Sequence, residues 1–248
     1  MTAPAGGLDL RPSKATRHSV VAILLGLFAL QVFFASRQTS PAYDEVSLLP
    51  AGYVFLKTGQ WRISPHHTPL IFGLSALPLL ALNPRLDLND PELTREAPNP
   101  WNVGLNFLSA NNDDDRLFFW GRLPTLALAL LLGYFVYKWA RELYGSGAGL
   151  MALSLYAFCP TIIAFSGFAS LDIGLSFFFT LSLYSLWRFT TAGTWNNLLW
   201  TGLLLGCSLA TKTPAILLPP IFVGLMLLAV WQYPGREGAI AASLVSAP

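Results

Sequence analysis

The sequence predicts an all-α integral membrane protein, a bundle of about six transmembrane helices with two interfacial helices in the first external loop. Three observations carry that expectation. The 248 residues are 54% hydrophobic and 11% charged, against roughly 25% charged in soluble domains. Mean hydropathy is +0.52, and apolar runs long enough to cross about 30 Å of hydrocarbon recur along the chain. A formal net charge of +2 gives no nucleic-acid footprint. The two cysteines, Cys159 and Cys207, sit inside apolar segments and support neither a disulfide framework nor a thiolate metal site.

The elements follow in order. Arg11, Lys14 and Arg17 precede the run 18–34. That run exceeds a signal-peptide core and "FASRQ" is a poor cleavage site, so it reads as an uncleaved anchor. The loop 35–116 carries "EVSLLPAGYVFLKTG" and "TPLIFGLSALPLLAL", each helix-length but too short to span, which suits helices lying along the interface. "NDPELTREAPNPWN" reads as loop. Runs 117–140, 148–168 and 171–189 are spans. The block 197–231 is interrupted by "ATKTP", with Lys212 and Pro214, and reads as two short helices meeting at a turn. The domain plan is a cytoplasmic tail 1–17, a transmembrane domain 18–232 and a short tail 233–248. Alternation puts Arg11, Lys14 and Arg17, then Lys138 and Arg141, then Arg188, then Arg236 on the cytoplasmic side, as the positive-inside bias expects. The loop 35–116, the "FSGFASLD" turn and the Lys212 turn then lie outside.

That topology sets Asp44, Arg122, Asp172 and Lys212 at one level. A charge within an apolar span costs roughly 2.5–3.5 kcal/mol, so such groups pair or face water. A wet cavity lined by two acids and two bases satisfies all four. Each has a plainer reading: Arg122 snorkelling to the interface, Asp172 capping a helix start, Lys212 at a surface turn, Asp44 and Glu45 as ordinary loop charges. Adjacent Asp44 and Glu45 point about 100° apart on a helix, so they need different partners. His66 and His67 in "SPHHTPL" offer two nitrogens for substrate or a divalent metal, with no third ligand evident by spacing.

At these residues the chain resembles the bacterial, phospholipid-carrier-dependent members of glycosyltransferase family 39, related to protein O-mannosyltransferases and lipid A aminoarabinose transferases, all of the GT-C fold. "YDEVSLLPAGYVFLKTG" resembles the family's acidic motif and first interfacial helix, and "SPHHTPLIFGLSALPLL" its second. "NNDDDRLFFWGRLPTLALAL", "YKWARELYGSGAGLMALSLYAFCPTIIAFSGFASLD" and "LGCSLATKTPAILLP" follow in the family's order. The likeness runs from about residue 20 to 232. It implies an inverting transferase of the bacterial inner membrane that moves a sugar from a polyprenyl-phosphate carrier to a hydroxyl of a protein, glycan or lipid on the external face. By family pattern Asp44 is the base, Glu45 helps place the acceptor, Arg122 and Lys212 hold the carrier phosphate, and Asp172 is a second acid. His66 stands where the family usually has glutamate, and Thr68 replaces the first proline of its Glu-His-Pro-Pro motif. Family members generally continue for several further helices, which implies a fragment, a truncated product or half of a split enzyme. The competing class is a non-catalytic carrier-binding scaffold or transporter subunit.

Overall fold

The computed structural model describes residues 14–65, 67–110 and 112–232. Arg11, His66, Arg236 and the tail 233–248 lie outside the described residues. Within them every regular element is helical. α1 (Lys14–Gln38) has one glycine and no proline in its 25 residues, so nothing interrupts its hydrogen-bond ladder.

The stretch between α1 and the next long helix is well folded. α2 (Tyr43–Thr58) ends at Gly59, whose φ of +72° lets its N–H reach the Phe55 carbonyl at 2.8 Å, a left-handed cap that suits glycine. α3 (Pro69–Leu82) follows. Leu48, Leu49, Ala51, Tyr53 and Val54 of α2 are buried, so this helix is enclosed by its neighbours. A Cβ at Gly52 would run into the Phe72 carbonyl of α3.

Two helices stand where the sequence reads as loop, α4 (Pro91–Thr94) and α5 (Pro100–Ser109). Both start on the same device. Asp90 accepts from the Glu92 N–H at 2.8 Å, and Asn99 from the Trp101 and Asn102 N–H groups at 3.0 and 3.3 Å. Each cap is followed by proline at the first helical position, where its missing N–H costs nothing. The Asn99 N–H donates to Glu92 and holds that half-buried carboxyl below its ordinary pKa. α5 packs on α2 so closely that a Cβ at Gly104 would meet the Val46 carbonyl.

α6 (Asp114–Tyr144) begins ahead of its apolar run because Asp113 caps it, accepting from the Arg116 N–H at 3.0 Å. The predicted span 148–168 is broken into two helices, α7 (Ser146–Ala157) and α8 (Pro160–Ser166), bent by 62°, which together are long and apolar enough to cross. Pro160 has no N–H to continue the ladder and holds Cys159 extended, at φ −75° and ψ 115°, which breaks the helix there. α9 (Leu171–Ala192) and α10 (Trp195–Leu209) form an antiparallel hairpin, and a 3-10 turn (Thr213–Leu217) leads into α11 (Leu218–Gln232). The break at Lys212 and Pro214 therefore lies where the sequence puts it.

Among the described residues, three helical stretches are long and apolar enough to cross a membrane, Lys14–Gln38, Asp114–Tyr144 and Thr213–Trp231, and the bent α7–α8 pair makes four. This is fewer than the six expected. α9 has the length, but serines, threonines, Asp172 and Arg188 dilute its apolar character. α10, at 15 residues, reaches only about 22 Å.

The main core forms where α1, α6, α7 and α9 meet, around Phe28, Val32, Leu132, Leu153 and Phe177. Across it the buried Tyr156 hydroxyl donates to the Ala129 carbonyl at 2.7 Å. At one end of this core the basic residues gather as the charge alternation expects. Arg17 donates to Ser146 at 3.1 Å, Arg188 lies 3.6 Å from Glu142, and Lys138 sits over the Phe135 and Tyr184 rings. The other end holds the acids and bases singled out above.

Candidate functional site

The first turn of α2 faces α6 and the start of α9. Glu45 is wholly buried, and four donors saturate its carboxylate. Oε1 accepts from Arg122 Nε at 2.9 Å and from the Ala169 N–H at 2.7 Å. Oε2 accepts from Arg122 Nη2 at 2.8 Å and from the Ala42 N–H at 2.9 Å. The Ala42 bond is the returning half of a capping box, and the Arg122 contact is the two-pronged fork that guanidinium and carboxylate geometry favours. Arg122 Nη1 donates to the Ser36 carbonyl at 2.8 Å and, at a longer 3.4 Å, to that of Thr39. A buried ion pair of this kind is stable only when the remaining polar atoms are also satisfied, and here the end of α1, the start of α2, α6 and the Ala169 turn all supply partners.

Asp44 behaves oppositely. It is exposed, and its carboxylate makes no hydrogen bond or ion pair among the described residues, although its backbone carbonyl accepts from Ser47 at 3.0 Å. The 100° turn between neighbours thus separates the two acids, one into the protein and one out of it. Beside Asp44, Tyr43 stacks on Trp101 with ring centroids 5.0 Å apart.

A second ion pair closes α9 onto the 3-10 turn. Ser170 caps α9 by accepting from the Asp172 N–H at 3.0 Å, which fixes the acid at the favourable end of the helix dipole. Lys212 Nζ lies 2.6 Å from Asp172 Oδ1, and these side chains are 30% and 47% exposed. Asp172, bound to Lys212, lies three positions after Ala169, bound to Glu45. Extended chain covers at most about 11 Å over that interval, so the two pairs are near neighbours. The structure brings Glu45 to Arg122 and Asp172 to Lys212, and sets Asp44 one residue from the first pair.

Next to Arg122 opens a cavity of about 550 Å³, lined also by Ser36, Arg37, Asp113, Asp115 and Arg116. Arg37 lies over the Phe33 and Phe119 rings, 5.8 and 5.9 Å from their centroids. Arg37 and Arg116 are absent from the residues the sequence singles out. Arg37 ends α1, and Arg116 closes the "NNDDDR" run that opens α6, so both reach the cavity by position at helix ends, a signal available only once those ends are fixed. Among the described residues no three histidine, cysteine, aspartate or glutamate side chains converge on a common point, and His67 is the one member of the histidine pair within them.

The family model for dolichyl-phosphate-mannose-protein mannosyltransferases matches residues 115–246. The chain belongs to that family. Membership makes it a multi-pass membrane glycosyltransferase, mannosyltransferase-like and of the GT-C type, working with a lipid-linked sugar donor and an acceptor. The matched span contains Arg122, Asp172 and Lys212, while Asp44 and Glu45 lie upstream of it and are joined to it through the Glu45–Arg122 and Glu45–Ala169 contacts. No curated protein and no solved structure matches the sequence.

Proposed function

We propose that the protein takes a sugar from a polyprenyl-phosphate carrier and delivers it, with inversion at the anomeric carbon, to an acceptor hydroxyl on the external face of a bacterial inner membrane. The family's description names dolichyl-phosphate-mannose as donor and protein as acceptor, so mannose and a serine or threonine hydroxyl are the first pair to test. One observation carries this reading: an exposed carboxylate, Asp44, with no partner among the described residues, stands beside a buried clamp that fixes its backbone.

In the proposed step the acceptor hydroxyl gives its proton to Asp44 as its oxygen attacks the anomeric carbon. The bond from that carbon to the phosphate oxygen breaks on the opposite side, and the carrier leaves as a phosphate of greater negative charge. A carboxylate within hydrogen-bond reach suits the proton transfer, and fixed cations strengthen their hold as that charge grows. Lys212 serves this purpose because its partner Asp172 is half-exposed and the incoming phosphate can displace it. Arg122 contributes from the cavity wall, where Nη2 keeps a second N–H beyond the one given to Glu45. Glu45, with its oxygens already saturated, positions Asp44 and Arg122, and through them the acceptor.

The test is Asp44→Asn in purified protein supplied with dolichyl-phosphate-mannose and a serine-containing peptide. Transfer should fall by about 10²–10⁴ with carrier binding retained. A wild-type protein that releases polyprenyl phosphate from no sugar-linked carrier overturns the reading in favour of a carrier-binding scaffold.

A further inference from the structure

Three recesses on the site end share walls. The cavity beside Arg122 and a smaller one of about 190 Å³ are both lined by Asp113 and Arg116. The smaller one shares Asn83, Pro84 and Arg85 with a third, of about 400 Å³, that reaches Tyr53, Lys57 and Thr58. Together they make one continuous track. It starts where Arg122 grips Glu45 at the beginning of α2 and ends at Lys57 in the last turn of that helix. Sixteen residues of α2 span about 24 Å, the length of about seven residues of extended peptide.

The charge along the track is lopsided. Five cations, Arg37, Arg122, Arg116, Arg85 and Lys57, line it against two acids, Asp113 and Asp115. The cation of Arg122 is already neutralised by Glu45, whereas the guanidinium groups of Arg37, Arg85 and Arg116 make no ion pair among the described residues. The Arg85 backbone is held on both sides by the Asn112 side chain, at 2.9 and 3.1 Å, so this arginine stands on a fixed base. Between the cations the wall is apolar, with Leu82, Leu86, Leu88 and Leu117.

We infer that this track binds the acceptor as an extended peptide segment bearing acidic side chains near the residue to be modified. Guanidinium groups recognise carboxylates in forked geometry, and the intervening leucines fit apolar peptide side chains, which a polysaccharide lacks. The inference rests on the transfer reaction proposed above for the choice of acceptor, but the binding it describes can be read without turnover. Lys57 and Arg85 lie at the far end of the track from Arg122, so they select the acceptor and leave the reacting groups alone.

The experiment uses fluorescently labelled seven-residue peptides, each with a serine at one or the other end and acidic, neutral or basic residues along the remainder, titrated onto the purified protein. The acidic peptide should bind about tenfold more tightly than the neutral one, and 1 M salt should erase the difference. Lys57→Glu with Arg85→Glu should reverse the preference toward the basic peptide. Equal binding of acidic, neutral and basic peptides, or an acidic preference unchanged in the double variant, overturns the inference. So does an acidic oligosaccharide, oligogalacturonate, that displaces the peptide at lower concentration than unlabelled peptide does. Release of mannose from dolichyl-phosphate-mannose is followed in parallel. Its absence in the wild type with peptide selectivity intact would sink the proposed reaction and leave the track standing.

Discussion

The Glu45–Arg122 and Asp172–Lys212 pairs occupy the same end of the bundle, yet they are built for different work. The first is buried on both sides and forked, and two backbone N–H groups, of Ala42 and Ala169, add to the two arginine donors on Glu45. The second is a single contact between side chains 30% and 47% exposed. Opening the first strands a charge without water, whereas opening the second hands both partners to solvent or to a ligand. Burial therefore separates a structural clamp from an exchangeable contact, even though each is one acid and one base.

Substitutions can break or sharpen that contrast. Glu45→Ala should have the largest effect, removing about 3–5 kcal/mol of stability because Arg122 is left buried and uncompensated. Thermal unfolding in detergent measures it, and a midpoint within a degree of wild type would erase the distinction between the pairs. Gly104→Ala tests the clamp from outside, since the new methyl must push α5 away from the Val46 carbonyl. It should cost about 1–3 kcal/mol, seen in the same melt. Lys212→Ala should shift stability by about 1 kcal/mol or less while weakening retention of polyprenyl phosphate in a lipid-binding assay. An equal loss of stability to that of Glu45→Ala would place Lys212 in the scaffold and out of the site. Smallest of all, Arg188→Ala at the opposite end removes a half-exposed partner 3.6 Å from Glu142. It should change the melt by no more than about 0.5 kcal/mol.

The helical class, the long apolar runs and the break at Lys212 and Pro214 were legible because hydropathy and proline act locally. The two extra helices were also written locally, in Asp90-Pro91 and Asn99-Pro100, but turn residues and helix starts share those amino acids and the sequence alone favours the turn. Arg122 shows a different limit. An arginine in an apolar run demands a partner, and Asp44 beside Glu45 announced two separate fates, but only the fold reveals that the partner is Glu45, 77 residues away. The cavity walls were hidden for the same reason. Arg37, Arg85 and Arg116 are ordinary charges until two helix ends and the stretch after α3 bring them to the linked recesses.

The amide of Ala169 has a consequence for how the molecule is made. A ribosome delivers Glu45 first, Arg122 next and Ala169 last, so one carboxylate waits through the synthesis of 124 residues for its full set of donors. Until Ala169 is made, Glu45 has at most three of its four donors, the Ala42 amide and the two Arg122 nitrogens. A nascent chain halted before that point would carry its acidic motif with one of those four donors missing.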